Sequence, residues 1–549
     1  MHPTPRRLLA LALCCAPIAA QAQVFVRADA PAGGDGSSWA SAYQRLDTAL
    51  SAHPGDEIWV ARGRYVPPVN PDPDYTPSEQ RRRTSFVIPP GTRIYGGFAG
   101  TENVLAQRNL RLNRSVLSGD MQANDSNRDA DGVTPTPDDI VGDNALHVVR
   151  FDAMLWNGGD GADIGPDTVL DGFVLSGGYA SEDLYEAGGG GAVCIAGFDP
   201  GNVERCSPTL RNLEFVGNLA GDGTGTGGGG ALAIYSGGAP AAPLVQNAVF
   251  RNNRSTSSGG AVLVTSVWVV PTPTFEDVEF IGNEAVSGGA VALTDFFDVR
   301  IDRARFTGNR ARRNAPEDGD FNAHGGALYI NGGFDFEDAF ARLRVSNAVF
   351  FDNRAENLGG AVMNVSNGAA TRVELVNSSF SANRARLGGV LFVPDVDGPV
   401  TQILNSVLWG NVATQAPEAF DAFATGAGDN IYGDLSEASR RVEIGHSLLQ
   451  HGLNAPGVVY SQGYEAFPPT ALVNLGGLAS ADPRFSGAEL RLRSQSPAID
   501  AGSNAYNTTA LDRDGNVRVT GARIDMGAYE FIDNGCDGLP DGLFCDGFE

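Results

Sequence analysis

The chain has 549 residues, a formal net charge of −26, 42% hydrophobic residues and 71 glycines. All 39 of its basic residues are arginine, so the surface is acidic and free of lysine. That argues against nucleic acid or anionic membrane as partner, because phosphate contacts need a basic face, and it leaves divalent cations and glycans open.

Residues 1–22 read as a secretory signal: Arg6-Arg7, an apolar stretch from Leu8 to Ala19, and Ala20-Gln21-Ala22 as the cleavage site. The apolar stretch is too short to span a bilayer, and no other segment reads as transmembrane. Next come a strand at Val24-Phe25-Val26, a Gly/Asp turn, and a helix with Trp39, Ala42, Leu46, Ala49 and Leu50 at helical spacing. Such a helix suits the end cap of a solenoid, whose first coil must hide its edge. A strand follows at Glu57 to Ala61, and the Pro-, Asp- and Arg-rich residues 66–84 are expected to loop out. Further strands are expected at Phe86 to Phe98, Leu146 to Phe151, Val169 to Leu175 and Val193 to Ile195, with a polar excursion from Asp120 to Asp143.

A repeated phrase then dominates: Phe-x-x-Asn, a short polar run, and Gly-Gly-Ala-Val/Leu leading into an apolar strand. Its phenylalanines are Phe215, Phe250, Phe280, Phe306, Phe350 and Phe380, spaced by 35, 30, 26, 44 and 30 residues. Its asparagines are Asn218, Asn253, Asn283, Asn309, Asn353 and Asn383, with a fainter copy at Asn411. Each unit holds short apolar runs between Gly, Asn or Asp turns and no helix-length periodicity. It therefore predicts an all-β right-handed parallel β-helix with a short N-terminal capping helix. Stacked coils would place the phenylalanines in one core column. The asparagines would form a structural ladder at a left-handed turn, and the Gly-Gly pair would bend the chain before each strand. The organisation expected is a signal at 1–22, cap and first coils at 23–165, repeats at 166–415, C-terminal coils and cap at 416–531, and a Cys-containing acidic tail at 532–549.

The repeat resembles those of chlamydial polymorphic outer membrane proteins and of bacterial pectin-lyase-like β-helix proteins. The flanks resemble "choice-of-anchor Q" domain proteins, through Val26 to Trp39 and Gly55 to Tyr65 at the start. The close does so through Ser496 to Gly502, Asp512 to Gly515 and Asp525 to Glu530. This resemblance covers residues 24–531 and implies an exported, surface-associated protein with no agreed chemistry. The run of C-terminal strands that an autotransporter barrel needs is absent from the sequence. The Asp-Gly-Phe-Glu ending resembles a sorting signal.

The mature chain keeps Cys194, Cys206, Cys536 and Cys545, two local pairs that suggest disulfides in an exported protein, with connectivity open. Asp125, Asn127, Asp129 and Asp131 alternate as calcium ligands do, but Ala130 and Thr136 stand where an EF-hand wants Gly and Glu, so only a looser calcium site is expected. Asp318, Asp320 and His324 form a second candidate for metal or acid–base chemistry. Asp152, Asp160, Asp163 and Asp167 read as an acidic loop, and Asp512 to Asn516 as a turn. Gly-His-Gly, expected beside a hydrolase's aspartates, does not occur, and no motif singles out a lyase arginine. The sequence thus reads as a monomeric, secreted or cell-surface scaffold for adhesion or glycan binding, with extracellular glycans or neighbouring surface molecules as partners. It requires no cofactor beyond the candidate calcium. The rival reading is a lyase or hydrolase acting on acidic polysaccharide.

Overall fold

The structure is a computed structural model. It describes residues 23–69, 71–155, 161–181, 188–197, 201, 203–221, 227–314, 322–333, 340–366, 371–393, 400–414, 430–433, 441–453, 458–460 and 472–533. The signal segment, Cys536, Cys545 and the Asp-Gly-Phe-Glu ending lie outside them.

Three parallel sheets of 20, 11 and eight strands wind along the described residues, and only one small sheet is antiparallel. One coil shows how the sequence makes them. Leu244–Arg251 lies in the longest sheet, Arg254–Ser255 in the eight-stranded corner sheet and Val262–Ser266 in the third. Thr274–Ile281 then begins the next rung directly on top, with Phe250 opposite Phe280. The fold is a right-handed parallel β-helix, the hand that strand twist imposes on parallel crossovers.

Inside, like residues stack. Phe215, Phe250, Phe280, Phe306, Phe350 and Phe380 are fully buried, with successive ring centroids 4.5–4.9 Å apart and planes within 12°. Each ring contributes on the order of 1.5–3 kcal/mol of burial. The column continues upward through Leu175, Leu117 and Tyr65, and downward through Leu408 and Leu449.

The asparagines form the expected ladder. Asn253 donates from Nδ2 to Asn283 Oδ1 (3.0 Å) and to Phe215 O (3.0 Å), while its own Oδ1 accepts from the backbone N–H and Nδ2 of Asn218. The same pattern runs through Asn309, Asn353 and Asn383 to Asn411. One expectation needs correction: the left-handed backbone is not at the ladder residue. It falls one position earlier, at Gly217, Asn252, Gly282, Gly308, Asp352, Ala382 and Gly410. The ladder asparagine itself belongs to the turn's exit, where its amide can reach both neighbouring rungs. In the Gly-Gly pairs the two glycines serve different ends. Gly259 has φ 68°, whereas a Cβ on Gly260 would sit 2.1 Å from Gly289 O in the next rung.

The cap also differs from expectation. The α-helix covers only Leu46–Ala52, with Leu46, Ala49 and Leu50 closing the end of the core. Trp39 starts a separate 3-10 turn capped by Ser38, because Tyr43 pairs its backbone with Phe25 and Arg27 and holds the link extended. Residues 66–84, expected as loop, contain the helix Pro77–Arg82, started by a Thr76/Glu79 capping box. At the other end, residues 484–531 return along the outer face of the longest sheet. Ala528 N donates to Ser379 Oγ (3.0 Å), and Asn347 Nδ2 to Thr509 Oγ1 (3.0 Å).

Candidate functional site

The strand Gly63–Tyr65 turns Tyr65 into the core, so its neighbour Arg64 faces outward. Arg27 and Arg62 directly follow the strands Gln23–Val26 and Glu57–Ala61, Arg114 directly precedes Ser115–Ser118, and Arg128 comes from the excursion that begins at Asp120. These five arginines, with Asp29, Asp129 and Asp131, line an open cleft of about 920 Å³. Asp120 is fully buried beneath it, with Oδ2 3.5 Å from Arg64 and 3.3 Å from Arg128. Burial pushes the Arg64 guanidinium below its ordinary value. Arg114 goes the other way: burial opposes its charge, but Asp129 (2.9 Å), Asp131 (3.2 Å) and Glu214 (3.3 Å) outweigh that and hold it more firmly protonated. Arg62 is exposed and makes no ion pair among the described residues.

Arg114 also borders a groove of about 390 Å³ on the outer face of the longest sheet. Its floor includes Phe173, Val174, Asn212, Glu214, Asn247 and Val249. Asn212 and Asn247 belong to a second vertical column, at a left-handed bend in the middle of each long strand. The column passes through Asp277, Arg303, Asn347, Asn377 and Asn405 to His446, all with φ of 48–54°. In the groove Asn247 is exposed, and Nδ2 of Asn247 reaches Asn212 Oδ1 (2.6 Å). Further along, the returning C-terminal segment covers the column: Asn377 meets Asn507 (3.2 Å) and Asn405 meets Ser503 (3.1 and 2.8 Å).

The four candidate calcium ligands point to different partners. Asp125 is buried, accepting from Thr134 Oγ1 (2.6 Å), Val141 N (2.8 Å) and Asn144 Nδ2 (3.0 Å), and burial raises its carboxyl above the usual range. Asn127 donates to Asp139, while Asp129 and Asp131 hold Arg114. Among the described residues no group of three or more His, Cys, Asp or Glu is arranged to hold a metal ion. The alternating acids thus serve as loop anchors. Asp129 Oδ1, for example, accepts from the N–H groups of Asp131 and Val133 (2.9 Å each).

His324 is buried at the corner before Gly325, in register with Ser287 and Leu358; Asp318 and Asp320 lie outside the described residues, as does Asp160. Asp152 pairs with Arg150 and Asp163 with Arg205, both at 2.8 Å, and Asp167 is exposed. Asp512 caps the turn between the bridged residues Leu511 and Val517. Cys194 and Cys206 form a disulfide. The cleft arginines form no motif in the sequence because they come from separate segments. The phase of Arg64 against core-facing Tyr65 was the available signal.

No family model and no curated protein matches the chain. Among solved structures, the chain is similar to one described as the crystal structure of pectate lyase Pel9A, at 14% identity and a TM-score of 0.37, covering 92% of this chain and 96% of that one. A likeness of that degree carries no activity across, so the parallel β-helix rests on the rung-to-rung register of the chain itself.

Proposed function

We propose that the protein is an exported, non-catalytic scaffold that lays an extended glycan along the groove on the outer face of its longest sheet. The observation carrying this reading is the bend column. The C-terminal segment covers it at Asn377 and Asn405, but in the groove it is exposed at Asn247, while Asn212 beside it is held by Asp171 (2.7 Å) and Asn247. Amide side chains over an apolar floor of Val174 and Val249 suit hydroxyls and sugar faces. The disulfide fits an extracellular compartment, and no described helix is long and apolar enough to cross a membrane. The choice-of-anchor Q likeness of the flanking motifs points the same way, to an exported, surface-associated protein; a monomer with calcium as an optional ligand belongs to the same proposal. A lyase would need a neutral arginine as base; three carboxylates hold Arg114 protonated, and Arg64, which burial pushes the other way, is the arginine that a lyase would have to use.

The test incubates residues 23–549 with neutral and acidic polysaccharides, with and without calcium. Gel retardation, new reducing ends and unsaturated-uronate absorbance are followed together. Retardation without cleavage is expected. Cleavage abolished by Arg64→Gln would make the protein a lyase and overturn the scaffold reading.

A further inference from the structure

The cleft at the head of the groove is a charge anomaly. On a chain of net charge −26, five guanidinium groups, Arg27, Arg62, Arg64, Arg114 and Arg128, gather against four carboxylates, Asp29, Asp120, Asp129 and Asp131, the last two of which Arg114 holds. Asp120 is shared by Arg64 and Arg128, and Arg62 has no counter-ion among the described residues. The Arg64 Nε–H is buried with no hydrogen-bond partner, a donor that costs free energy unless something accepts from it. Further along, the groove offers carboxylates that arginines already hold: Glu214 in the floor pairs with Arg114 and Arg251, and two rungs on Glu276 and Asp277 pair with Arg303 and Glu279 with Arg513. A densely charged polyanion would meet those carboxylates as well as the overall negative field.

We infer that the cleft is an anion subsite for one acidic unit, a uronate carboxylate or a sulfate ester, at the end of an otherwise neutral stretch of glycan lying in the groove. Planar guanidinium forks suit either oxyanion. The inference rests on the glycan reading of the groove, and it narrows the ligand to a sparsely charged chain.

The experiment titrates the full chain without its signal segment, by calorimetry at low and moderate salt. The probes are a neutral oligosaccharide, the same oligosaccharide with one terminal uronate, the same with one terminal sulfate, a fully charged oligouronate, and a free uronic acid. Either singly charged probe is expected to bind at least tenfold tighter than the neutral one, and tighter than the oligouronate; which of the two binds names the oxyanion. The advantage should shrink as salt rises. Arg62→Gln, an exposed side chain that the fold does not use, should remove most of the advantage, and Arg372→Gln on a distant rung should leave it unchanged. Equal affinity for neutral and singly charged probes, tightest binding by the oligouronate, or an Arg62→Gln affinity within twofold of the original would each overturn the anion subsite. Binding of the free uronic acid with no gain from attached neutral sugars would uphold the cleft and overturn the groove.

Discussion

Two columns of asparagine run the length of this β-helix, and they do opposite things. The ladder from Asn218 to Asn411 is buried and closed on itself, each amide bonded to rungs on both sides. The bend column, from Asn212 to Asn405 with Asp277 and Arg303 between, sits at the outer face, where its rung-to-rung bonds lie at the surface or under a covering segment. Its C-terminal half is covered by residues 484–531, and its N-terminal half opens on the groove. Residue type is therefore a poor guide to role. What separates the columns is exposure: both are bonded from rung to rung, but only the bend column, at Asn247, can be reached by another molecule.

The contrast breaks first on stability. Asn353→Ala would strip the acceptor from the backbone N–H and Nδ2 of Asn309 and the donor from Phe306 O. At ~1–3 kcal/mol per orphaned buried group, a loss of about 3–5 kcal/mol is expected. Asn247→Ala, at an exposed position, should cost only about 1 kcal/mol, the strain of alanine at a left-handed bend. Urea midpoints of the two variants measure the difference, and equal midpoints would remove the distinction between the columns.

Next in size is the staple beneath the open half. Cys194–Cys206, with a sequence separation of 12, ties a third-sheet strand to the coil corner just before the rung that carries Asn212. Replacing both cysteines by alanine should cost ~3 kcal/mol, read in the same urea titration, with the loss concentrated in the N-terminal rungs by hydrogen exchange.

The covered half should respond to pH. Arg518 and Glu530 are buried in the returning segment, and burial raises the Glu530 carboxyl from 4.5 to about 7. Because the folded value lies above the unfolded one, the stabilisation is complete below about 4.5 and disappears as pH rises through about 7. Amides of residues 484–531 should thus exchange more slowly at pH 5 than at pH 8, and Glu530→Gln should flatten the difference. Exchange that slows as pH rises, after correction for intrinsic rates, would show that this group does not govern docking. The smallest effect concerns calcium. With Asp129 and Asp131 committed to Arg114, a chelator is expected to leave the thermal midpoint unchanged.

Much of this fold could be read in the sequence because a repeat places the same residue in the same environment many times. The phenylalanine column, the ladder and the Gly-Gly corners were all visible. The exact site of the left-handed turn was not, since Gly217, Asn252, Asp352 and Ala382 differ in type and share only a position. The calcium-like spacing is ambiguous because acids at alternate positions also cap turns, and Asp129 does so. Of the groove and cleft, only the outward phase of Arg64 against core-facing Tyr65 was legible. The cleft is made where the Asp120 excursion meets the first strands, and the groove where residues 110–114 lie on the longest sheet, a matter of long-range docking.

The most direct test is a binding titration of the singly charged oligosaccharides against the wild type and Val249→Trp. Val249 lies in the groove floor, pointing outward opposite Glu279 on the next rung, so the larger ring fills the groove without entering the core. The account predicts an unchanged thermal midpoint and a loss of binding of at least tenfold. Undiminished affinity in a folded variant would contradict it, because the glycan would then be held somewhere else on the helix.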